Sequence, residues 1–478
     1  MANFSSRQLQ VAASELMRFQ MGVCLLRLVI TNDTGGRSNW GCQATSRAFE
    51  AFVRDAFAGF QDPVLDKIPL AAPHPLDRSF QALFGRTIRE VYSQMEPEKK
   101  CLELLENLAR ERFQSQYQKI EQADVVLFQG EGSVGPAWTF ENLRVFALPV
   151  LAARRLGKPV FALNQTIYAA NASDAKVLRS IYSGFSMVCV REARSYDFAR
   201  SIGIDNALLC PDFAFGVPVN TRKYRVNLPN RYFCVTGSAA AHAFDNDRYA
   251  ALIKLLSATF KAKPVFMHSR RKDRLEMVEV LKTFNSDEFI EFSSEDYPDS
   301  IQLRHLLENA LFAIGGRYHT GVVALGLGTP TIFFPGNTFK SEGIGPMLEL
   351  DVDVVQETDQ STIVARLQTL LENRSETRSL ILAKIDSLER KFSAMSEYLA
   401  NAARCVVAEQ PLPPAPNVLS PQKFSQEWSD RHSEIYSRSN AKKRKLPRIA
   451  PLERAKLARL RRAHGYAKSL EDSFINLP

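Results

Sequence analysis

The chain has 478 residues, of which 45% are hydrophobic and 24% are charged. This composition is typical of a globular protein with two or three domains, and it excludes a disordered chain, a disulfide scaffold and a protein with many membrane spans. The net charge of +9 belongs to the C-terminal tail, where twelve Lys or Arg residues and one acid lie between Arg438 and Lys468. Because the rest of the chain is close to neutral, nucleic acid is not an expected partner.

Along the chain, short β-type runs alternate with helical patterns, which is typical of a parallel α/β fold. A first set of runs covers residues 24–31, 123–130, 159–166, 186–192 and 207–215. A second set covers residues 231–238, 264–270, 289–294, 311–316 and 330–335. Two consecutive sets predict an α/β fold with two Rossmann-like domains that face each other across a cleft.

The predicted domain boundaries follow from these two sets. The first domain is expected at residues 1–217, with an insertion at about 62–122 that packs beside its sheet. The second domain, with trailing helices, is expected at residues 218–407. A Pro-rich linker and the basic tail follow at 408–478.

The seven cysteines form no CxxC pair. This pattern favours reduced thiols in a cytoplasmic protein over a zinc site or a disulfide framework. The first residues also lack the pattern of a secretory signal. We therefore expect a cytoplasmic protein with no bound metal. Its basic tail is either a peripheral contact with the anionic inner face of the cytoplasmic membrane or only a solvated tail.

In parallel sheets ligands bind outside the carboxyl ends of the strands, so candidate residues are sought there. Asn39 follows the first strand in a glycine-rich turn, which is either an anion-binding turn or a plain turn with an Asn cap. Glu131 follows the next strand and is either a base, a hydroxyl-binding group or a solvated loop acid. Both sets of alternatives remain open at this stage.

Two further candidates close the first domain. Arg191 stands at a strand end, where a guanidinium suits bidentate capture of a carboxylate or phosphate, although it could instead pair with Glu192. Asp212 lies near the domain junction and either takes part in the chemistry or only organises the turn.

The richest segment is residues 312–340 in the second domain. A strand ends at two glycines, Arg317 and His319 begin a helix, and Lys340 follows the next strand. An Arg, a Lys and a helix N-terminus form an anion site, and a His beside them exchanges protons near neutral pH. The three side chains are therefore expected at one edge of the cleft. His268, at the end of another strand, is a further candidate.

These segments, in this order, resemble the polysaccharide pyruvyl transferase family. The most specific is GGRYHTGVVALGLGTPTIFF followed by Lys340; NWGCQA, QGEGS, VREARSYDFARSIG, PDFAF and FMHSRRKD support it. The resemblance implies a GT-B-type pair of Rossmann-like domains. It also implies transfer of pyruvate from phosphoenolpyruvate onto hydroxyls of a surface polysaccharide or its precursor, which forms a ketal and releases phosphate.

The resemblance also implies roles for the candidate residues. Arg317, Lys340 and Arg191 bind the anionic groups of phosphoenolpyruvate, and His319 is the general acid. Glu131 or Asp212 orients or deprotonates the acceptor hydroxyls. Phosphoenolpyruvate is the donor substrate, no cofactor is expected, and the acceptor is a saccharide that is either free or lipid-linked.

An alternative function is a nucleotide-sugar-dependent glycosyltransferase of the same GT-B-type fold. Such an enzyme would place a diphosphate on the Arg and Lys side chains and would hold the ribose with a carboxylate after the Gly-Pro block. The only acid in that stretch is Glu342, after Lys340. This mildly favours pyruvyl transfer.

Overall fold

The computed structural model describes residues 26–60, 63–69, 96–131, 140–169, 172–216, 227–238, 245–294, 300–336, 338–352, 354–355 and 359–421. The basic tail and most of the predicted domain boundary at residues 217–229 lie outside these ranges. Among the helices of the described ranges, none is both long and apolar enough to cross a membrane.

The first sheet has six parallel strands in the order β2-β1-β3-β4-β5-β6. The strands are β1 (Arg27–Asp33), β2 (Val64–Pro69), β3 (Val125–Glu131), β4 (Val160–Gln165), β5 (Met187–Val190) and β6 (Ala207–Leu209). Five of them coincide with predicted runs. The sixth, β2, lies within the predicted insertion and pairs with β1 as an edge strand of the sheet itself.

Helices cover both faces of this sheet. They are α1 (Trp40–Ala56), α2 (Pro97–Arg112), α3 (Gln114–Gln122), α4 (Ala147–Arg155), α5 (Ala172–Ser183) and α6 (Ala193–Ser201). Short 3₁₀ turns lie at Phe140–Phe146 and Phe213–Gly216. The inner strands β3, β4 and β5 are buried along their whole length. Such burial on both faces explains why they appear in the sequence as continuous apolar runs.

The second sheet has five parallel strands in the order β11-β10-β7-β8-β9. They are β7 (Tyr232–Ser238), β8 (Lys263–His268), β9 (Ile290–Ser293), β10 (Ala313–Gly316) and β11 (Thr331–Phe333). The accompanying helices are α7 (Asn246–Phe260), α8 (Arg271–Leu281), α9 (Ser300–Glu308), α10 (Tyr318–Gly326), α11 (Ile344–Leu348) and α12 (Gln360–Glu372). This confirms the predicted α/β fold, a GT-B-type pair of Rossmann-like units followed by a helical C-terminal region.

A long last helix, α13 (Arg374–Val407), connects the two units. Its first turns bond to the second unit, where Arg374 donates to Ala310 O and Arg378 to Glu308 O. Its second half packs on the face of the first sheet that α1 also covers, where Met395 and Leu399 are fully buried.

The Pro-rich segment 410–421 follows α13 without leaving the first unit. It has neither helix nor strand until a 3₁₀ turn at Asn417–Leu419. Leu419 is fully buried in the same apolar cluster as Leu399, and Leu412 packs against that cluster. The described part of the predicted linker therefore lies against the first sheet.

Candidate active site

Both sheets reverse their strand order at points that face the same region. In the first sheet the reversal lies between β1 and β3, and in the second it lies between β7 and β10. Such reversals leave a crevice at the carboxyl ends of the strands, where ligands bind in open α/β sheets. The helices α1 and α10 begin there, and a Cβ placed on Gly41 of α1 would lie 2.7 Å from His319 Nδ1 of α10. The two carboxyl edges therefore meet.

Three strands of the first sheet end in residues with left-handed backbone. Asn32, Glu131 and Asn164 have φ values of 62°, 94° and 63° at the ends of β1, β3 and β4. Residues other than glycine rarely adopt this conformation, and it concentrates at functional sites. The backbone itself thus marks this edge of the sheet.

Arg191 lies at the centre of the first group of charged side chains. Its backbone N–H donates to Gln165 O, which continues the pairing of β5 with β4. The fully buried guanidinium donates from Nε to Thr166 Oγ1 at 2.9 Å. From Nη1 it donates to Asp212 Oδ2 at 2.7 Å and to His319 Nε2 at 3.1 Å. Arg191 therefore contacts both units of the fold.

Asp212 is held as an anion beneath His319. Its Oδ1 accepts the Ala214 N–H at 2.8 Å, and its Oδ2 lies 3.6 Å from His319 Nε2. Burial raises the pKa of the Asp212 carboxyl, but Arg191 and then His319 more than offset this, so the pKa lies well below its usual value. Asp212 is fully buried, and its carboxylate contacts Arg191, the Ala214 N–H and His319.

Arg317 is the N-cap residue of α10, and two glycines bring the chain to that point. Gly315 has a φ of 144°, and a Cβ on it would lie 2.1 Å from Thr236 Oγ1, so only glycine lets β10 approach β7 here. Arg317 Nη2 then donates to Asp273 Oδ1 of α8. Burial lowers the pKa of Arg317 and raises the pKa of Asp273. Arg317 Nε has no hydrogen-bond partner among the described residues.

Lys340 and Arg191 share the ring of Tyr318. The Lys340 Nζ lies 5.4 Å and the Arg191 Cζ 4.6 Å from the ring centroid, within the range of cation–π attraction. Burial lowers the pKa of Lys340 to about 7, and the nearby charges of Arg191 and Arg317 act in the same direction. The Lys340 amine therefore changes between its charged and its neutral form near neutral pH.

Glu131 lies at the end of β3 and is buried. Its carboxylate accepts hydrogen bonds from the Thr34 hydroxyl and, at 3.4 Å, from the Cys42 thiol. Burial, reinforced by Glu131, raises the pKa of Cys42 to about 12, so the thiol remains protonated. Glu131 is thus a fixed group of the first unit, unlike a solvated loop acid.

Asn39 and His268 have different surroundings. Asn39 Oδ1 accepts the N–H groups of Gly41 at 2.8 Å and Cys42 at 3.3 Å, so this side chain caps α1. His268 is buried at the end of β8, with Nε2 3.0 Å from Glu291 Oε1. Burial lowers the pKa of His268 to about 4. Asn39 therefore bonds within α1, whereas His268 pairs with Glu291.

The structure therefore groups the predicted residues around α10. Arg191 and Asp212 contact His319 directly, and Lys340 approaches the ring of Tyr318 next to it. Arg317 begins the same helix but is bonded to Asp273 of α8. The arrangement places three cationic side chains and one imidazole at the meeting of the two carboxyl edges, which suits an anionic substrate that undergoes proton transfer.

Sequence reasoning missed three contributors to this site. Tyr318 stands between two predicted residues, and its aromatic ring among cations was an available signal. Asp273 ends the segment FMHSRRKD that contains His268, but its pairing with Arg317 joins residues of separate elements and leaves no local signal. Gly41 was visible only as part of the turn that contains Asn39.

Several solved structures share features of the fold at low sequence identity. The S. aureus MnaA–UDP complex has 13% identity and a TM-score of 0.48, covering 84% of this chain and 99% of its own. A UDP-N-acetylglucosamine 2-epimerase from Rickettsia bellii has 12% identity and a TM-score of 0.43, covering 78% and 98%. The E. coli ADP-heptose lipopolysaccharide heptosyltransferase II has 14% identity and a TM-score of 0.37, covering 73% and 100%. No curated protein sequence matched the chain.

A comparison with family models gives a specific result. The polysaccharide pyruvyl transferase model matches residues 58–337, which is more than half of the chain. The match contains Glu131, Arg191, Asp212, Arg317 and His319, whereas Asn39 and Lys340 lie just outside it. The chain therefore belongs to the polysaccharide pyruvyl transferase family, a family of transferases.

Proposed function

We propose that the protein transfers the pyruvate group of phosphoenolpyruvate onto two hydroxyls of a saccharide, forming a pyruvate ketal. The observation that carries the proposal is the cluster at the N-terminus of α10. There the Arg191–Asp212 pair contacts the imidazole of His319, Lys340 approaches the ring of the adjacent Tyr318, and Arg317 is the N-cap residue of the helix. Phosphoenolpyruvate has a phosphate and a carboxylate on one small skeleton, so it needs several cations close to one proton donor.

The donor would bind to Arg317 and Lys340. Both side chains are largely buried, where attraction to an anion is weakened less by water than at the surface. The pKa of Lys340 is lowered to about 7 chiefly by burial. A bound dianion would favour its charged form, so donor binding and protonation of Lys340 would support each other.

The chemistry requires a proton at C3 of the donor. His319 would supply it, because its side chain is 16% exposed whereas Asp212 below it is fully buried. Protonation turns the double bond into a methyl group and an electrophilic C2. The first hydroxyl then adds to C2 as it loses its proton, the bond from C2 to the phosphate oxygen breaks, and the second hydroxyl adds. One hydroxyl proton restores the imidazolium and the other leaves with phosphate.

Arg191 and Asp212 would keep His319 in place during this cycle. Arg191 Nη1 would donate to Nε2 of the neutral ring. When Nε2 gains a proton, the Asp212 carboxylate, 3.6 Å away, would stabilise the imidazolium, which donates from Nδ1. The acceptor would lie towards the first sheet, where Glu131 has the carboxylate that can accept a hydrogen bond from a sugar hydroxyl. No cofactor takes part in this proposal.

The proposal is tested by incubating the full chain with phosphoenolpyruvate and a panel of saccharides while phosphate release is monitored. We expect release that depends on one class of saccharide, with a ketal carbon visible by NMR in the product. The variant His319→Gln should lose about 10²–10⁴-fold in turnover. The matched control His305→Gln, in α9, should retain it. Turnover by His319→Gln close to that of the wild type would assign the general acid elsewhere.

A further inference from the structure

Gly41 and His319 approach each other more closely than any residue with a side chain would allow. A Cβ placed on Gly41 would lie 2.7 Å from His319 Nδ1, 2.8 Å from its Cβ and 3.0 Å from its Cγ. Gly41 belongs to α1 of the first unit and His319 to α10 of the second. The contact therefore joins the N-terminal turns of two helices that follow different sheets.

The need for glycine here is one of space. The backbone of Gly41 does not have a positive φ, and its N–H is bonded to Asn39 Oδ1 as in an ordinary helix start. Gln43, two residues further along α1, accepts the Ser300 N–H of the second unit at 3.0 Å through Oε1. The start of α1 is thus fixed by bonds on both sides of Gly41, and it cannot easily retreat from the ring.

The other side of the ring is fixed by Arg191. A guanidinium has only N–H donors, so the 3.1 Å contact from Arg191 Nη1 requires that His319 Nε2 is the acceptor. A neutral imidazole whose Nε2 accepts has its proton on Nδ1. That nitrogen is the one nearest to Gly41.

We propose that Gly41 is a positioning residue for His319, whose bare α-carbon lets α1 seat the imidazole with Nε2 on Arg191 and the exchangeable proton on Nδ1. The inference rests on the proposed function for its catalytic consequence. In this arrangement the first unit supplies one wall of the space that holds the His319 ring of the second unit. The general acid is complete only when both units are in contact.

A side chain at position 41 would displace the ring while leaving Arg317 and Lys340 in place. Misplacement of a reacting group by about 1 Å can cost on the order of 100-fold in rate. For Gly41→Ala we therefore expect turnover to fall by about 10- to 100-fold. The dissociation constant of phosphoenolpyruvate should change by less than about threefold, since the cations that bind it are not moved.

The chain offers a matched control in the same turn. A Cβ on Gly36 would meet no atom within 4 Å, and its backbone has no positive φ. Gly36→Ala should therefore leave both turnover and donor binding unchanged. Equal turnover of Gly41→Ala and wild type would overturn the proposal, as would an equal loss in the two variants.

A second measurement uses the wild type and does not depend on activity. Nitrogen-15 NMR of labelled imidazoles distinguishes the two neutral tautomers, and His319→Gln identifies the resonance. We expect the neutral form of His319 to be protonated on Nδ1. A wild-type His319 protonated mainly on Nε2 would overturn the proposal. If phosphoenolpyruvate were not a substrate, this result would still decide the position of the proton, so the two failures are distinguishable.

Discussion

The two buried arginines of the site each lie beside a buried aspartate, but the two pairs differ. Asp212 pairs with Arg191, accepts the Ala214 N–H and lies beside His319, and its pKa is lowered despite burial. Asp273 pairs with Arg317 and Arg270, but the effect of burial exceeds theirs and its pKa is raised. Asp212 is therefore the firmer anion. Asp273 is the weaker partner, so under the proposed function a donor phosphate would displace it from Arg317 more easily.

Lys340 gives a prediction on stability and pH. Its folded pKa is about 7 against an ordinary value of 10.5, so the unfolded chain binds more protons between these pH values. The free energy of unfolding of the wild type should therefore rise with pH across this window. Lys340→Met should be more stable than the wild type near pH 7, by about 2–5 kcal/mol, and the difference should shrink towards about pH 10.

Urea unfolding at both pH values measures this difference. The control Lys282→Met removes an exposed lysine that pairs with exposed Glu279, and its difference from the wild type should not vary in this way. A Lys340→Met difference that stays constant between the two pH values would show that the amine has no lowered pKa.

At the residue scale, sequence reasoning located groups but not their partners. Strand ends can be found from apolar runs, and this placed Arg317 and His319 in the right region. Asn39 was left as either a cap or a ligand, and its bonds to Gly41 and Cys42 are those of a cap. The pairing of Arg317 with Asp273 depends on how α8 packs beside α10, which no local pattern encodes.

At the scale of elements, strands buried on both faces were predictable and the edge strand was not. The runs for β3 and β4 are continuous apolar stretches because helices cover both sides of them. The edge strand β2 contains Asp66 and Lys67 and is mostly exposed or half-buried. Its pattern is therefore that of a loop, and residues 62–69 were assigned to an insertion.

The helix α10 provides a prediction at this scale. Replacing a glycine inside a helix by alanine usually stabilises it by about 1 kcal/mol. In α10, however, a Cβ on Gly321 would lie 2.2 Å from Phe333 Cε1 of β11, and Phe333 is fully buried. Gly321→Ala should therefore lower the free energy of unfolding by about 1–3 kcal/mol.

Thermal and urea unfolding check this prediction. Adding Phe333→Leu removes the ring atoms that collide, so the double variant should lose less than the sum of the two single variants. A stabilised Gly321→Ala would mean that α10 and β11 are not packed as described.

At the scale of the whole molecule, α13 ties the two units together. Its first turns bond to the second unit and its second half packs on the first sheet. The sequence predicted a helical region after residue 362 and assigned it to the second domain, because periodicity reveals a helix but not its partner. The packing of α13 on the first sheet brings together residues about 350 positions apart, such as Phe49 and Leu399, which share one apolar cluster.

Two leucines of α13 test this connection. Leu399 is fully buried against the first sheet, whereas Leu380 is 53% exposed. Leu399→Ala should lower the free energy of unfolding by about 2–5 kcal/mol, and Leu380→Ala should change it by less than about 0.5 kcal/mol. Calorimetric unfolding measures both variants. Equal effects of the two substitutions would contradict the packing of α13 on the first unit.

The central claim is that the cations around α10 bind phosphoenolpyruvate, and calorimetric titration tests it without knowledge of the acceptor. We expect saturable binding of phosphoenolpyruvate and none of UDP-N-acetylglucosamine. Arg317→Gln should weaken donor binding by about 10- to 100-fold, the worth of a hydrogen bond between charged groups. The control Arg366→Gln, whose guanidinium pairs with Asp351, should bind as the wild type does. Binding of UDP-N-acetylglucosamine with no binding of phosphoenolpyruvate would contradict the account.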